Sequence, residues 1–175
     1  MNNIHTELIR EDFDRWDRDH PFWHFADFPG YILAKDSCPF LSDKLSEKEK
    51  NILIYIWHSL MEKQEYDAGN SILMATQTGL ICNKSIEKIA NYFVSNNVRF
   101  NSKIGQIVFG AIARSLGLWS FMLGRKDVGQ KLWISGIETA KIMKHRKEHE
   151  IQKWRELSVT YSIPIELKML LDKLA

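Results

Sequence analysis

Apolar residues recur at helical spacing along almost the whole 175-residue chain, and no stretch alternates between apolar and polar residues as a half-buried strand does. The segment from Ile104 to Gly124 is the most apolar, and its 21 residues are long enough to cross a bilayer. Arg114 lies near its middle, where insertion into a membrane costs roughly 2.5–3.5 kcal/mol. The sequence therefore predicts a buried central helix in an all-α protein, with no membrane span.

Capping and turn signals divide the rest of the chain. Ser46 and Glu49 form a capping box, in which each side chain accepts a hydrogen bond from the free backbone amide of the other residue. Asp67 and Asp127 are placed to cap two later helices, and Asn96-Asn97 to end another. We expect about seven helices in stacked antiparallel hairpins, with tight connections between them.

The whole chain is interpreted as one helical domain, 1–175. An amino-terminal helix and an irregular aromatic loop occupy 1–43, and a bundle of helical hairpins occupies 44–175. The loop carries Phe22, Trp23, Phe25, Phe28 and Tyr31, which either fold back over the bundle or anchor a partner, and the former is favoured. The pattern leaves open whether the helix around 144–160 is continuous.

Charge is divided unevenly between the two halves. Residues 1–83 carry 8 Lys and Arg against 14 Asp and Glu, whereas residues 84–175 carry 16 against 8, so their net charges are −6 and +8. Such an asymmetry influences the choice of partner and the rate of encounter rather than the fold. The basic stretch from Lys141 to Arg155 also contains acids, which favours an ion-paired surface over a DNA clamp.

Cysteine usage points to a reducing compartment. Cys38 and Cys82 form no CxxC pair and are too few for a disulfide framework, so a cytoplasmic location is predicted. The first twenty residues hold six acids and no continuous apolar run, so we expect no secretory signal.

Residues 110–143 resemble one tetratricopeptide repeat, a helical hairpin of 34 residues. Leu116-Gly117 matches the Leu-Gly pair of that family, Gly124 its turn glycine, and Gly129, Trp133 and Gly136 its small, aromatic and small positions. Ala113, Ser120 and Lys141 depart from the family pattern. The resemblance implies a concave helical surface that binds a peptide or protein without catalysis.

Two groups of histidines and acids have the residue types of metal sites. His145, Glu148 and His149 match H-x-x-E-H, in which two histidines four residues apart on a helix share a metal ion. His20 and His24 stand near Asp17, Asp19 and Asp27. The first motif lies in a charged run and Pro21 interrupts the second group, so neither is assigned as a metal site.

One enzymatic alternative comes from Arg15 and His20, whose spacing resembles the R-x4-6-H motif of HEPN ribonucleases. That resemblance implies cleavage of RNA without a metal ion, at a groove between two protomers. The acids around the motif would repel phosphate, which counts against it.

The favoured hypothesis is a non-catalytic protein-binding helical module, an adaptor or an inhibitor that covers a target protein as an immunity protein does. No complete catalytic set, cofactor motif or metal site supports an enzyme. Arg114 is predicted to reach a carboxylate, backbone oxygens or solvent at a groove. The residues assigned to partner binding are Asp14, Asp17, Arg18, Trp23, Arg114, Lys144 and Arg146. The HEPN-like ribonuclease and nucleic-acid binding through the basic carboxyl-terminal half are the alternatives.

Overall fold

The predicted all-α class is confirmed. The computed structural model describes residues 14, 15, 18, 19, 28–144, 146–160 and 162–175, which contain helices but no strand. Eight helices follow one another in this part of the chain: α1 (Tyr31–Ser37), α2 (Glu47–Met61), α3 (Glu65–Gln77), α4 (Asn83–Ser95), α5 (Lys103–Met122), α6 (Lys126–Ile142), α7 (Lys147–Thr160) and α8 (Ile165–Leu174).

The chain divides into two compact units, one that ends at Ile89 and one that runs from Ala90 to Ala175. The division falls inside α4. In the first unit, α2 packs against α3 and α1. In the second, α5 and α6 form the central pair, α7 and α8 pack on α6, and α7 also contacts α5.

Helix α2 is buried around its whole circumference at its centre. Ile52 and Ile56 are fully buried, and Ile54 and Tyr55 on the other sides of the helix are buried as well. Phe28 covers Tyr55, since the two rings meet edge-on with their centroids 5.4 Å apart. Phe28 therefore folds back on the bundle as predicted, while Phe22, Trp23 and Phe25 lie outside the described residues. The prediction of an irregular segment up to residue 43 is wrong at α1.

The capping box at the start of α2 is confirmed in one half only. The Ser46 hydroxyl accepts a hydrogen bond from the Glu49 amide at 3.2 Å. The Glu49 carboxylate, however, accepts from the Cys82 amide at 2.6 Å and the Ser85 hydroxyl at 3.0 Å. Its charge is stabilised there by the positive end of the α4 dipole, which ties the starts of the two helices together.

Two predicted caps are wrong by a few residues. Helix α3 begins after Gln64 and helix α6 after Arg125, so Asp67 and Asp127 lie in the first turns instead. Acidic side chains are favourable in a first turn because they oppose the positive end of the helix dipole. Asn97 has a positive φ of 48° just after α4 ends, so the predicted stop is confirmed.

Small residues set the distance between α5 and α6. A Cβ on Gly129 would lie 2.6 Å from the carbonyl oxygen of Gly117, so only glycine permits this approach. A Cβ on Gly136 would lie 2.5 Å from both Ala113 and Trp154. Gly124 lies in the turn after α5 with a φ of 88°, a conformation that favours glycine.

Helix α5 is long and apolar enough to span a membrane by length and composition, the only such helix in the described residues, and 78% of its apolar window is buried inside the protein. The prediction of a buried central helix is therefore confirmed. The question left open around 144–160 is also answered, because α6 ends at Ile142 and a separate helix starts at Lys147.

Candidate functional site: a basic groove beside the α6–α7 connection

A groove of about 390 Å³ opens in the second unit between the first turns of α5 and the connection from α6 to α7. We call it the basic groove. Its lining consists of Lys103, Gln106, Ile107, Ile142, Met143, Lys144 and Arg146.

The basic groove combines an aliphatic floor with a positively charged rim. We call its aliphatic lining residues, Ile107, Ile142 and Met143, the floor, and the described lining residues include three cations but no acid and no aromatic ring. Lys103 is also the first residue of α5, whose positive dipole end adds to the potential there. The groove is thus suited to a ligand that is apolar and negatively charged at once.

Local structure explains why the connection projects its charges here. The Ser102 hydroxyl accepts from the Gly105 amide at 2.9 Å, which fixes the start of α5. On the other side, Met143 is buried and accepts a backbone hydrogen bond from the Arg146 amide at 3.1 Å. The anchored methionine leaves Lys144 and Arg146 at the surface on either side of the turn.

A buried carboxylate holds Arg146 from behind. Glu150 is only 1% exposed, and its Oε1 accepts from Arg146 Nη2 at 3.3 Å and Arg146 Nε at 3.4 Å. Lys153 Nζ lies 3.4 Å from the same oxygen. Glu150 therefore orients the guanidinium of Arg146. The side chain of Arg146 is still 45% exposed, so it also lines the groove.

Arg114 lies beneath this cluster. It is 1% exposed, its guanidinium carbon is 5.2 Å from the centre of the Trp154 ring, and Trp154 meets Trp133 edge-on at 4.6 Å. Arg114 and Glu150 are the only fully buried charged side chains among the described residues. A Cβ on Gly110 would touch both, at 3.4 Å from Arg114 Nη1 and 3.9 Å from Glu150 Oε2. Arg114 is therefore placed to support the site rather than to line it.

The residues predicted to bind a partner occupy different places. Lys144 and Arg146 both line the basic groove, with Arg114 buried nearby. Asp14 and Arg18 are exposed and helical in the other unit. Asp17 and Trp23 lie outside the described residues. The assignment of all seven to partner binding stays a prediction.

Sequence reasoning missed Lys103, Ile107, Ile142 and Met143. The cap at Ser102 was a readable signal for the start of α5, and it places Lys103 at the positive helix end. The α6–α7 break had no such signal, because no glycine or proline stands between Ile142 and Lys147.

The motifs that suggested metal or ribonuclease chemistry are only partly described. Glu148 and His149 are exposed on α7, which begins at Lys147, while His145 lies outside the described residues. Arg15 is exposed and helical, and His20 and His24 lie outside as well. Within the described part of the chain, no three His, Cys, Asp or Glu side chains are grouped as metal ligands.

The surroundings of Cys38 do not prepare it as a nucleophile. Burial raises the pKa of the Cys38 thiol to about 11, so this thiol is protonated at neutral pH. Its Sγ lies 3.7 Å from the Leu53 carbonyl oxygen. Cys82 is exposed, with its Sγ 3.5 Å from the hydroxyl of Ser85.

Comparison with known proteins finds no matching family model, no matching curated protein and no matching solved structure.

Proposed function

We propose that this chain is a non-catalytic protein-binding module, an adaptor or an inhibitor that covers a target protein, and that the basic groove contacts the target. One observation supports this proposal above the others. Three cations from two structural elements, Lys103 on α5 and Lys144 and Arg146 on the α6–α7 connection, surround an aliphatic floor.

The construction of the site also favours recognition over chemistry. Cations that bind a partner need a fixed orientation, and the buried Glu150 supplies it for Arg146. General acid–base or nucleophilic catalysis needs a titratable group placed at a reacting atom. The described lining offers only Lys and Arg side chains for that purpose, together with one amide.

The proposal is tested by affinity capture from the native lysate with a charge-reversed variant, Lys103→Glu/Lys144→Glu. Both lysines are exposed and neither contacts Glu150, so the variant should fold. Lys84→Glu/Lys168→Glu is the matched control, since it changes two exposed lysines outside the groove by the same charge.

We expect a stoichiometric protein that binds the wild type and the control but not the groove variant, and that rebinds as a purified pair in calorimetry. Equal capture by all three forms would refute the role of the groove. Co-purifying RNA or DNA in place of a protein would favour the nucleic-acid alternative and overturn the proposal.

A further inference from the structure

We infer that the segment bound in the basic groove is an acidic peptide that places one aliphatic side chain on the floor and a carboxylate on each side of it. This inference rests on the proposed function and names the chemistry of the partner. It follows from the shape of the groove, the position of its cations and the character of its floor.

The floor determines the central residue. Ile107, Ile142 and Met143 are flexible or branched aliphatic side chains, and Ile142 is exposed in the isolated chain. A groove of about 390 Å³ lies near the lower end of the range of roughly 300–1,000 Å³ for ligand pockets. It therefore fits one or two side chains of a peptide rather than the face of a large domain. A leucine or isoleucine would remove the exposed Ile142 from water.

The rim determines the flanking residues. Lys103 stands on the α5 side, and Lys144 and Arg146 stand on the side of the connection, so positive charge is present at both walls. No acid compensates these charges within the described lining, and Glu150, which does pair with Arg146, is buried behind it. A peptide with carboxylates on both sides of its apolar residue complements this arrangement.

The arginine adds geometric selectivity. Arg146 uses Nε and Nη2 toward Glu150 Oε1, which holds the plane of the guanidinium. An oriented guanidinium recognises a planar carboxylate better than a flexible ammonium does. Arg146 is thus the contact most specific for an aspartate or glutamate side chain.

The same features disfavour nucleic acid as the occupant. Single-stranded nucleic acid is bound by aromatic side chains on which the bases stack. The described lining has no ring, and the described aromatic residues of this unit that lie closest to it in sequence, Phe100 and Phe109, are buried. The aliphatic side chains of the floor make no favourable contact with a charged phosphate backbone.

The test uses the full chain labelled with ¹⁵N and three capped nine-residue peptides. The first has the sequence Ser-Glu-Asp-Ser-Leu-Ser-Asp-Glu-Ser. The second replaces leucine by serine, and the third replaces each acid by its amide. Decanoate and a twelve-nucleotide single-stranded DNA are titrated as alternative ligands.

We expect the first peptide to shift the backbone amide signals of Lys103, Ile107 and Lys144, and its affinity to fall as salt rises. Loss of the leucine or of the four charges should each weaken binding by roughly tenfold or more. Lys103→Glu/Lys144→Glu should abolish the shifts, and Lys84→Glu/Lys168→Glu should leave them unchanged.

Each of four results would overturn the inference: no shift of groove signals at millimolar peptide, equal binding of the amide peptide, equal binding of the serine peptide, or tighter binding of decanoate or DNA at the same signals. If the captured protein still depends on the groove while the peptides fail, the proposed function stands and only the acidic-peptide inference falls. If capture does not depend on the groove, the proposed function falls too.

Discussion

Helices α5 and α7 belong to the same unit but are buried in opposite ways. Most of α5 is buried, and its backbone approaches α6 closely where Gly117 faces Gly129. In α7, polar and charged residues together predominate, and burial is confined to a few side chains, among them Glu150, Ile151 and Trp154. Average polarity therefore indicates how much of a helix is buried, but not which of its residues the fold depends on.

The largest effect is expected from Trp154→Ala. Trp154 is fully buried against Trp133 and lies beside Gly136 and Arg114, so its removal leaves a cavity that these neighbours cannot fill. We expect the free energy of unfolding to fall by about 3–5 kcal/mol in urea denaturation. Arg155, the next residue, is exposed. Arg155→Ala should change the free energy of unfolding by less than about 0.5 kcal/mol. Similar losses for the two variants would show that α7 is not anchored by its ring.

Arg114→Met should cause the next largest loss in the free energy of unfolding, about 3 kcal/mol. The substitution removes one of the two buried charges that border Gly110, and the negative charge of Glu150 is then less well compensated. A double-mutant cycle with Glu150→Gln measures their coupling, which we expect to exceed about 1 kcal/mol. Strict additivity would mean that the two buried charges act independently. Intact stability of Arg114→Met with lost partner binding would instead assign Arg114 a direct contact.

Gly129→Ala should lower the free energy of unfolding by about 1–3 kcal/mol, the smallest of the three losses. The added Cβ would clash with backbone atoms of Gly117 and Phe121, which cannot move aside. The free-energy cost of this clash has to exceed the gain from the higher helix propensity of alanine, which is about 1 kcal/mol. Gly110→Ala is the matched control, since its nearest new contact is Arg114 Nη1 at 3.4 Å, an ordinary van der Waals distance. We expect the control to be neutral or stabilising in thermal unfolding. A stabilised Gly129→Ala would refute the close approach of α5 and α6.

Much of the fold was predictable because local patterns specify it. The predicted buried stretch from Ile104 to Gly124 matches α5, Lys103–Met122, within two residues at either end. The stop at Asn96-Asn97 was equally readable. In contrast, Glu49 was assigned to its own helix by a local rule, whereas its carboxylate binds Cys82 and Ser85 more than thirty residues away. Local rules fail where a distant donor offers a better hydrogen bond.

The candidate site was predictable only in part. Lys144 and Arg146 were singled out for their charge, but the break between α6 and α7 that places them at a groove has no glycine or proline to announce it. Burial of Met143 accompanies that break, and such burial depends on what packs around the residue rather than on its immediate neighbours in sequence. Glu150 likewise lies in a highly charged run, where nothing local distinguishes the one buried carboxylate from the exposed ones.

The sequence by itself determined the helical class, the buried central helix and the surplus of positive charge in residues 84–175, because periodicity, hydropathy and charge are properties of short stretches of chain. Only the tertiary structure decided that Lys103 and Ile107 meet Met143 and Arg146 around one groove. The turn at Gly124 brings these segments together across the length of two helices, and the close packing of α5 on α6 then holds them there. Such a meeting depends on how helices pack, which no single stretch of sequence encodes.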